Sequence, residues 1–148
     1  MQSDMFESKI ESAKDAVRFI YGGSALFTIV STATGKRFTF KVRGPHKVGQ
    51  KTAMRFVRVL SGPDNTSSYT YIGYLHAQSK GVVNSGKAGK PESPGYKALN
   101  WTLAQLVKGK MPDGLEFYHA GKCGACGRTL TVPESIRTGL GPVCAGKM

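Results

Sequence analysis

The spacing of apolar residues near the start of the chain predicts an amphipathic helix over residues 4–21. Apolar side chains recur there at steps of three and four, which places them on one helical face. They are Phe6, Ile10, Ala13, Val17 and Ile20. Two glycines follow at residues 22–23, and glycine is common just beyond the end of a helix. We therefore expect one helix before the first strand.

From residue 25 onward the pattern changes to that of β-strands. The runs 25–32 and 37–43 are rich in β-branched and aromatic residues and are separated by a turn-length segment, which predicts a hairpin. The runs 54–60 and 69–76 predict a second pair, joined through a Gly-Pro-Asp-Asn sequence typical of turns. The four runs together predict a four-stranded antiparallel meander.

A second helix is predicted after residues 77–95, a stretch rich in Gly, Ser, Lys and Pro that is typical of a loop. Ser93 and Pro94 suit the N-cap and the first helical position. The apolar stripe of this helix comprises Tyr96, Leu99, Leu103 and Leu106. Lysines, a glycine and a proline over residues 108–112 indicate where the helix ends.

The cysteines indicate a metal site close to the C-terminus. Cys123 and Cys126 have the spacing of a zinc knuckle, and Cys144 supplies a third thiolate. His119 is the nearest histidine and completes a four-ligand set, so we predict one structural Zn²⁺ ion. The alternative is three free thiols with His119 as a surface residue. An odd number of cysteines without a secretory signal argues against a disulfide framework.

The same stretch resembles a small zinc-binding domain of unknown function that is widespread in bacteriophage and actinobacterial proteins. The resemblance is carried by the His-x3-Cys-x2-Cys-Gly-Arg start, by residues within the linker and by a Gly-x-Gly-Pro-x-Cys finish. The linker residues are Leu130, Pro133 and Ser135. The resemblance implies that His119, Cys123, Cys126 and Cys144 are metal ligands and that the protein is of phage or prophage origin.

These patterns predict an α+β fold with an N-terminal helix, a four-stranded antiparallel sheet, a helix and a C-terminal zinc knuckle of treble-clef or ribbon type. Residues 115–148 contain too few large apolar residues to form a core without a metal. We therefore predict a basic α+β domain over residues 1–110 and a zinc-binding module over residues 111–148.

Charge directs attention to the first of these domains. The chain has 21 Lys and Arg residues against 9 Asp and Glu, a net charge of +12. Alternation along the run 37–43 places its basic residues on one face and its apolar residues on the other. A cationic face of this kind is what phosphate contacts require. The predicted nucleic-acid-binding residues are Lys36, Arg37, Lys41, Arg43, Lys47, Lys51, Arg55 and Arg58.

Aromatic residues divide into two predicted groups. Tyr69, Tyr71 and Tyr74 lie among the cations and are suited to stack on unpaired bases, whereas Phe38, Phe40 and Phe56 are predicted to lie in the core. Trp101 lies off the apolar stripe of its helix. It is either an interaction anchor or a residue that packs against the zinc module.

The sequence thus predicts a zinc-containing nucleic-acid-binding protein of low sequence specificity, of phage type. The alternative is a phage effector that binds and modulates a host protein such as a polymerase, nuclease or defence factor. We expect no enzymatic activity, because the sequence contains no recognisable catalytic set. The first ten residues are acidic and lack an apolar stretch, and no run is long enough to span a membrane, so we expect a location in the cytoplasm.

Overall fold

The computed structural model describes residues 9–22, 24–44, 54–62, 68–76, 93–124, 130 and 138–140. The α+β class is confirmed, with two helices and five strands within these ranges. They are α1 (Ala13–Ile20), β1 (Ser24–Ser31), β2 (Arg37–Arg43), β3 (Met54–Leu60), β4 (Tyr69–His76), α2 (Pro94–Val107) and β5 (Leu115–His119).

The strands form one sheet in the order β4-β3-β2-β1-β5, and every neighbouring pair is antiparallel. The predicted meander of four strands is therefore confirmed, but a sheet of only four strands is wrong. The fifth strand pairs along the remaining edge of β1, from Phe27 opposite His119 to Ser31 opposite Leu115. An open strand edge presents unpaired N–H and C=O groups, and the extended run at 115–119 satisfies them.

The first helix is shorter than predicted. It begins after Ser12, whose hydroxyl accepts a hydrogen bond from a backbone N–H three residues further on. Serine at this position favours a helix start, so the preceding residues are free to take an extended form. Ile10 is buried, but it reaches the core from outside the helix, and its N–H donates to the Phe117 carbonyl at 2.8 Å. The predicted first turn, residues 4–8, lies outside the described residues.

The second helix forms as predicted. The Ser93 hydroxyl accepts a hydrogen bond from the Tyr96 N–H at 3.2 Å, and Pro94 occupies the first turn. All four residues of the predicted apolar stripe are buried. No helix among the described residues is long and apolar enough to cross a membrane.

Both helices contribute to a core on one side of the sheet, and four phenylalanines lie at its centre. The rings of Phe27 and Phe117 stack with centroids 4.8 Å apart, and Phe19 of α1 meets both edge-on. Phe40 adjoins Phe27 at 5.4 Å. Phe117 comes from β5, so a residue of the predicted zinc module completes the core of the α+β fold.

Candidate nucleic-acid interface and metal centre

The face of the sheet opposite the helices, here called the outer face, carries the polar residues of β2. Phe40 and Val42 are buried, while Arg37 and Arg43 are exposed and Lys41 is half-buried. Successive side chains of a strand point to opposite sides, so the three cations share the outer face. This arrangement is the one predicted from the sequence.

The pairing of β2 with β3 adds a fourth cation to the outer face. Arg58 lies directly opposite Lys41, and Phe56 lies directly opposite Arg43. Residues that are directly opposite in an antiparallel pair share one face. The structure therefore groups four predicted nucleic-acid-binding residues on the outer face: Arg37, Lys41, Arg43 and Arg58.

The prediction that Phe56 lies in the core is wrong. Its side chain is 40% exposed, and its ring centroid lies 6.3 Å from that of Tyr71 on the neighbouring strand. The cause is strand alternation, because Arg55, Val57 and Val59 take the core-side positions of β3 and leave Phe56 on the other face. Strict alternation along residues 54–60 would have placed Phe56 on the same face as Arg58.

Three tyrosines of β4 complete the outer face. A register shift between β3 and β4 leaves Ile72 without a direct partner, since Val57 faces Gly73 and Arg58 faces Tyr71. This β-bulge lets Tyr71 and Tyr74, three residues apart, project from the same face as Tyr69. The spacing of Tyr71 and Tyr74 alone does not reveal this bulge, because the bulge depends on how β4 pairs with β3.

A cation–π contact links the basic and aromatic residues. The Lys41 ammonium lies 4.2 Å from the centre of the Tyr69 ring, close enough for electrostatic attraction to the ring face. Burial raises the pKa of the Tyr69 hydroxyl, and the positive charge of Arg43 opposes that rise. The phenol therefore stays neutral at physiological pH.

Arg55 does not belong to the outer face. It is only 5% exposed on the core side of β3, where its Nε donates to the Tyr21 carbonyl at 3.2 Å. Its Nη1 has no hydrogen-bond partner within the described part of the chain, and burial lowers the pKa of the guanidinium. The cation rests against the carbonyl end of α1, which attracts positive charge. Arg55 thus has a structural position and no route to the outer face.

The other predicted basic residues are likewise not part of the group of cations on the outer face. Lys36 is exposed in the turn between β1 and β2, and it lines a groove of about 340 Å³ on the helix side together with Phe38 and Trp101. Lys47 and Lys51 lie outside the described residues. Trp101 is 53% exposed at the rim of this groove, off the buried stripe of α2 as predicted.

Two of the four predicted metal ligands lie in the described structure. His119 ends β5 at 3% exposure, and Cys123 follows at 1% exposure. A buried imidazole and a buried thiol are donors that Zn²⁺ prefers, so these two residues fit the predicted ion. No group of three or more His, Cys, Asp or Glu side chains that could hold a metal occurs among the described residues, and Cys126 and Cys144 lie outside them.

The backbone around these ligands packs closely against α1. A Cβ built at Gly124 would lie 2.6 Å from the Phe19 ring, and one built at Gly139 would lie 2.5 Å from it. The Gly124 N–H donates to the Gly139 carbonyl at 2.8 Å, and the Gly124 carbonyl accepts from Ser24 at 2.7 Å. These contacts join the chain next to Cys123 both to the core and to the segment that leads toward Cys144.

The His119 ring is held by its neighbours. It lies 5.7 Å from the Phe19 ring, and its Nδ1 accepts a hydrogen bond from the Gly121 N–H at 2.9 Å. A metal bound to Nδ1 would use the lone pair that now accepts from Gly121. A metal bound to Nε2 would require the proton of the neutral ring to sit on Nδ1, which could then no longer accept a hydrogen bond. Metal binding to His119 by either nitrogen therefore replaces this hydrogen bond.

Comparison with known proteins finds a similarity at the C-terminal stretch. Residues 113–148 are similar to a family of unknown function (DUF6011). The matched stretch contains all of β5, including His119, and all three cysteines, and it covers less than half of the chain. No curated protein and no solved structure matches the chain. The resemblance drawn from the sequence is thus confirmed as far as a family of unknown function.

Proposed function

We propose that the protein binds nucleic acid through the outer face of its sheet, with low sequence specificity and without catalysing a reaction. The observation that carries this proposal is the grouping of Arg37, Lys41, Arg43 and Arg58 with exposed or half-buried aromatic rings. Cations neutralise phosphates, and aromatic rings stack on any base, so neither contact depends on the base sequence.

The proposal predicts a steep dependence of affinity on salt. Four phosphate contacts give a slope of about −3 in a plot of log affinity against log salt, at about −0.7 per contact on a single strand. A fourfold rise in salt should therefore weaken binding by roughly fiftyfold. A salt-independent affinity would contradict the proposal.

Charge reversal at the outer face tests the residues directly. We expect the triple variant Arg37→Glu, Lys41→Glu, Arg43→Glu to lose binding to both DNA and RNA in a fluorescence anisotropy titration. The control reverses three exposed lysines of the helices and their ends, and so makes the same change in net charge. It comprises Lys14→Glu, Lys108→Glu and Lys110→Glu. If both triple variants lose affinity equally, net charge rather than the outer face determines binding.

For the C-terminal segment we propose that His119, Cys123, Cys126 and Cys144 hold one structural zinc ion. The support is the burial of His119 and Cys123 and the hydrogen bond between Gly124 and Gly139. A zinc ion bound here would cross-link the chain, and the free energy of zinc binding is about 10–16 kcal/mol in isolated zinc peptides. A closed set of four ligands leaves no position for a reacting water.

Elemental analysis of the purified protein tests this proposal. We expect about one zinc per chain, lost in Cys126→Ser and His119→Ala and retained in His46→Ala, a histidine outside the set. In the zinc-bound protein the amide of Gly121 should also lose its bond to Nδ1, which NMR would report as a shifted resonance. A folded wild-type protein without metal would contradict the zinc proposal.

A second function is favoured by Trp101, whose half-exposed ring borders an apolar groove. We propose as the alternative that the protein is a phage effector that docks on a host protein through this side, since large exposed aromatics are frequent binding anchors. The phage origin is proposed from the C-terminal sequence resemblance. A pull-down from nuclease-treated host lysate should then retain one stoichiometric partner with wild-type protein and lose it with Trp101→Ala.

A further inference from the structure

The outer face contains a trough whose walls are aromatic and whose floor is made of small hydroxyl residues. Thr28 of β1 lies directly opposite Tyr118 of β5 on one side and directly opposite Thr39 of β2 on the other. Tyr69 rises from β4 on the far side, next to Leu60. Since threonine is much smaller than tyrosine, the row leaves a depression of about 510 Å³ between the two rings.

The chemistry of the trough is suited to one nucleotide unit. Its volume lies within the range of roughly 300–1,000 Å³ that small-ligand sites occupy. Tyr69 offers a ring for stacking, Arg37 lines the trough with a positive charge, and the hydroxyls of Thr28 and Thr39 are 2.7 Å apart on the floor. These two hydroxyls are hydrogen-bonded to each other, which leaves one O–H and the remaining oxygen lone pairs to meet the edge of a base.

We propose that this trough takes an unpaired base of the bound strand and that the protein therefore prefers single-stranded to duplex nucleic acid. The inference rests on the proposed nucleic-acid function. Bases of a duplex are stacked and paired, and extracting one costs several kcal/mol, whereas a single strand presents its bases freely. The cations of the outer face alone would not make this distinction, because both forms carry phosphates.

Two substitutions in the trough test the inference, each with a matched control. Thr39→Leu fills the floor, and Thr39→Ser keeps both the room and the hydroxyl. Tyr69→Ala removes the stacking ring, and Tyr69→Phe keeps it. Anisotropy titrations would use a labelled single strand and the duplex of the same sequence, with thermal unfolding as the check that each variant folds.

We expect wild-type protein to bind the single strand at least tenfold more tightly than the duplex, on the scale of one or two base-stacking contacts. Thr39→Leu and Tyr69→Ala should lower single-strand affinity by about tenfold more than they lower duplex affinity, and in both controls the ratio of the two affinities should match that of the wild type. Equal wild-type affinity for both forms, or an equal loss of both in Thr39→Leu, would overturn the trough and leave the proposed function standing. Failure of wild-type protein to bind either probe would overturn both.

Discussion

Arg55 and Arg58 lie three residues apart on the same strand and have opposite environments. Arg58 is exposed on the outer face, where it lies opposite Lys41. Arg55 is buried on the helix side, where its Nε donates to the Tyr21 carbonyl. An odd separation along a strand reverses the direction of a side chain, so two identical residues belong to different parts of the molecule.

This difference shows how the sheet separates stability from binding. The helix side contains the four packed phenylalanines, and Arg55 is held there at the end of α1. The outer face contains cations and rings that are exposed or half-buried on β2, β3 and β4, whereas Tyr118 at its β5 end is buried. Substitutions on the two sides should therefore affect different measurements, and each prediction below compares one side with the other.

The largest expected effect is on stability, from the pair Phe117→Ala and Phe56→Ala. Phe117 is fully buried and stacks on Phe27, so its truncation leaves a cavity and should cost about 3–5 kcal/mol. Phe56 is exposed, and its truncation should change stability by less than about 1 kcal/mol while weakening nucleic-acid binding. Urea denaturation measures both. Similar losses of stability would mean that the two sides are not energetically distinct.

Overpacking at Gly124 should have the next largest effect. An alanine Cβ there would collide with the ring of Phe19 and with its carbonyl oxygen, 2.9 Å away. Because backbone cannot yield as a flexible side chain does, we expect Gly124→Ala to lose about 1–3 kcal/mol in the same denaturation assay. The neighbouring Lys122→Ala, at an exposed position, is the control and should stay near the wild type. An unchanged Gly124→Ala would show that the C-terminal segment is loosely attached to α1.

Most of the fold follows from local sequence patterns. The bounds of β3 and β4 coincide with the predicted runs, and α2 has the predicted cap and stripe. These elements are determined by alternation, turn chemistry and capping, which are short-range. The position of β5 beside β1 is not determined by short-range patterns, because a short extended run carries no information about which strand edge it will join.

The candidate site was predictable only in part, for the same reason. Alternation within β2 correctly grouped Arg37, Lys41 and Arg43. Treating basic residues as one set added Arg55, which the parity of β3 excludes, and overlooked Phe56, which that parity includes. The bulge at Ile72, which orients the tyrosines of β4, depends on the pairing of two strands and is invisible to a count along one.

The third prediction returns to the two arginines and concerns salt dependence. Arg58→Gln should remove one phosphate contact and reduce the magnitude of the salt slope by about 0.7. Arg55→Met should leave that slope unchanged, because the buried guanidinium contacts no phosphate. Affinities of both variants at several salt concentrations provide the test. A reduced slope in Arg55→Met would mean that the helix side also binds the polyanion.

The smallest expected effect concerns Tyr118, at the covered end of the outer face. Burial raises the pKa of its hydroxyl. The hydroxyl also donates a hydrogen bond to Glu116 at 2.9 Å, and both this bond and the negative charge of the carboxylate raise the pKa further, while the positive charge of Arg37 lowers it. A raised pKa means that folding favours the protonated phenol. The resulting stabilisation is present below the ordinary tyrosine value of about 10 and is lost as pH rises through the raised pKa.

Tyr118→Phe isolates this contribution, because it removes the hydroxyl and keeps the ring. At neutral pH we expect the variant to be less stable by about 0.5–1.5 kcal/mol, the net contribution of one hydrogen bond. The difference from the wild type should shrink as pH rises above about 10, because Tyr118 then ionises in the unfolded chain while the phenol beside Glu116 stays protonated to higher pH. Urea denaturation at several pH values measures it. If the stability difference between Tyr118→Phe and the wild type is constant with pH, the hydroxyl contributes by packing alone. Ionisation of the phenol would then not be coupled to the charge of Glu116 at the β5 end of the outer face.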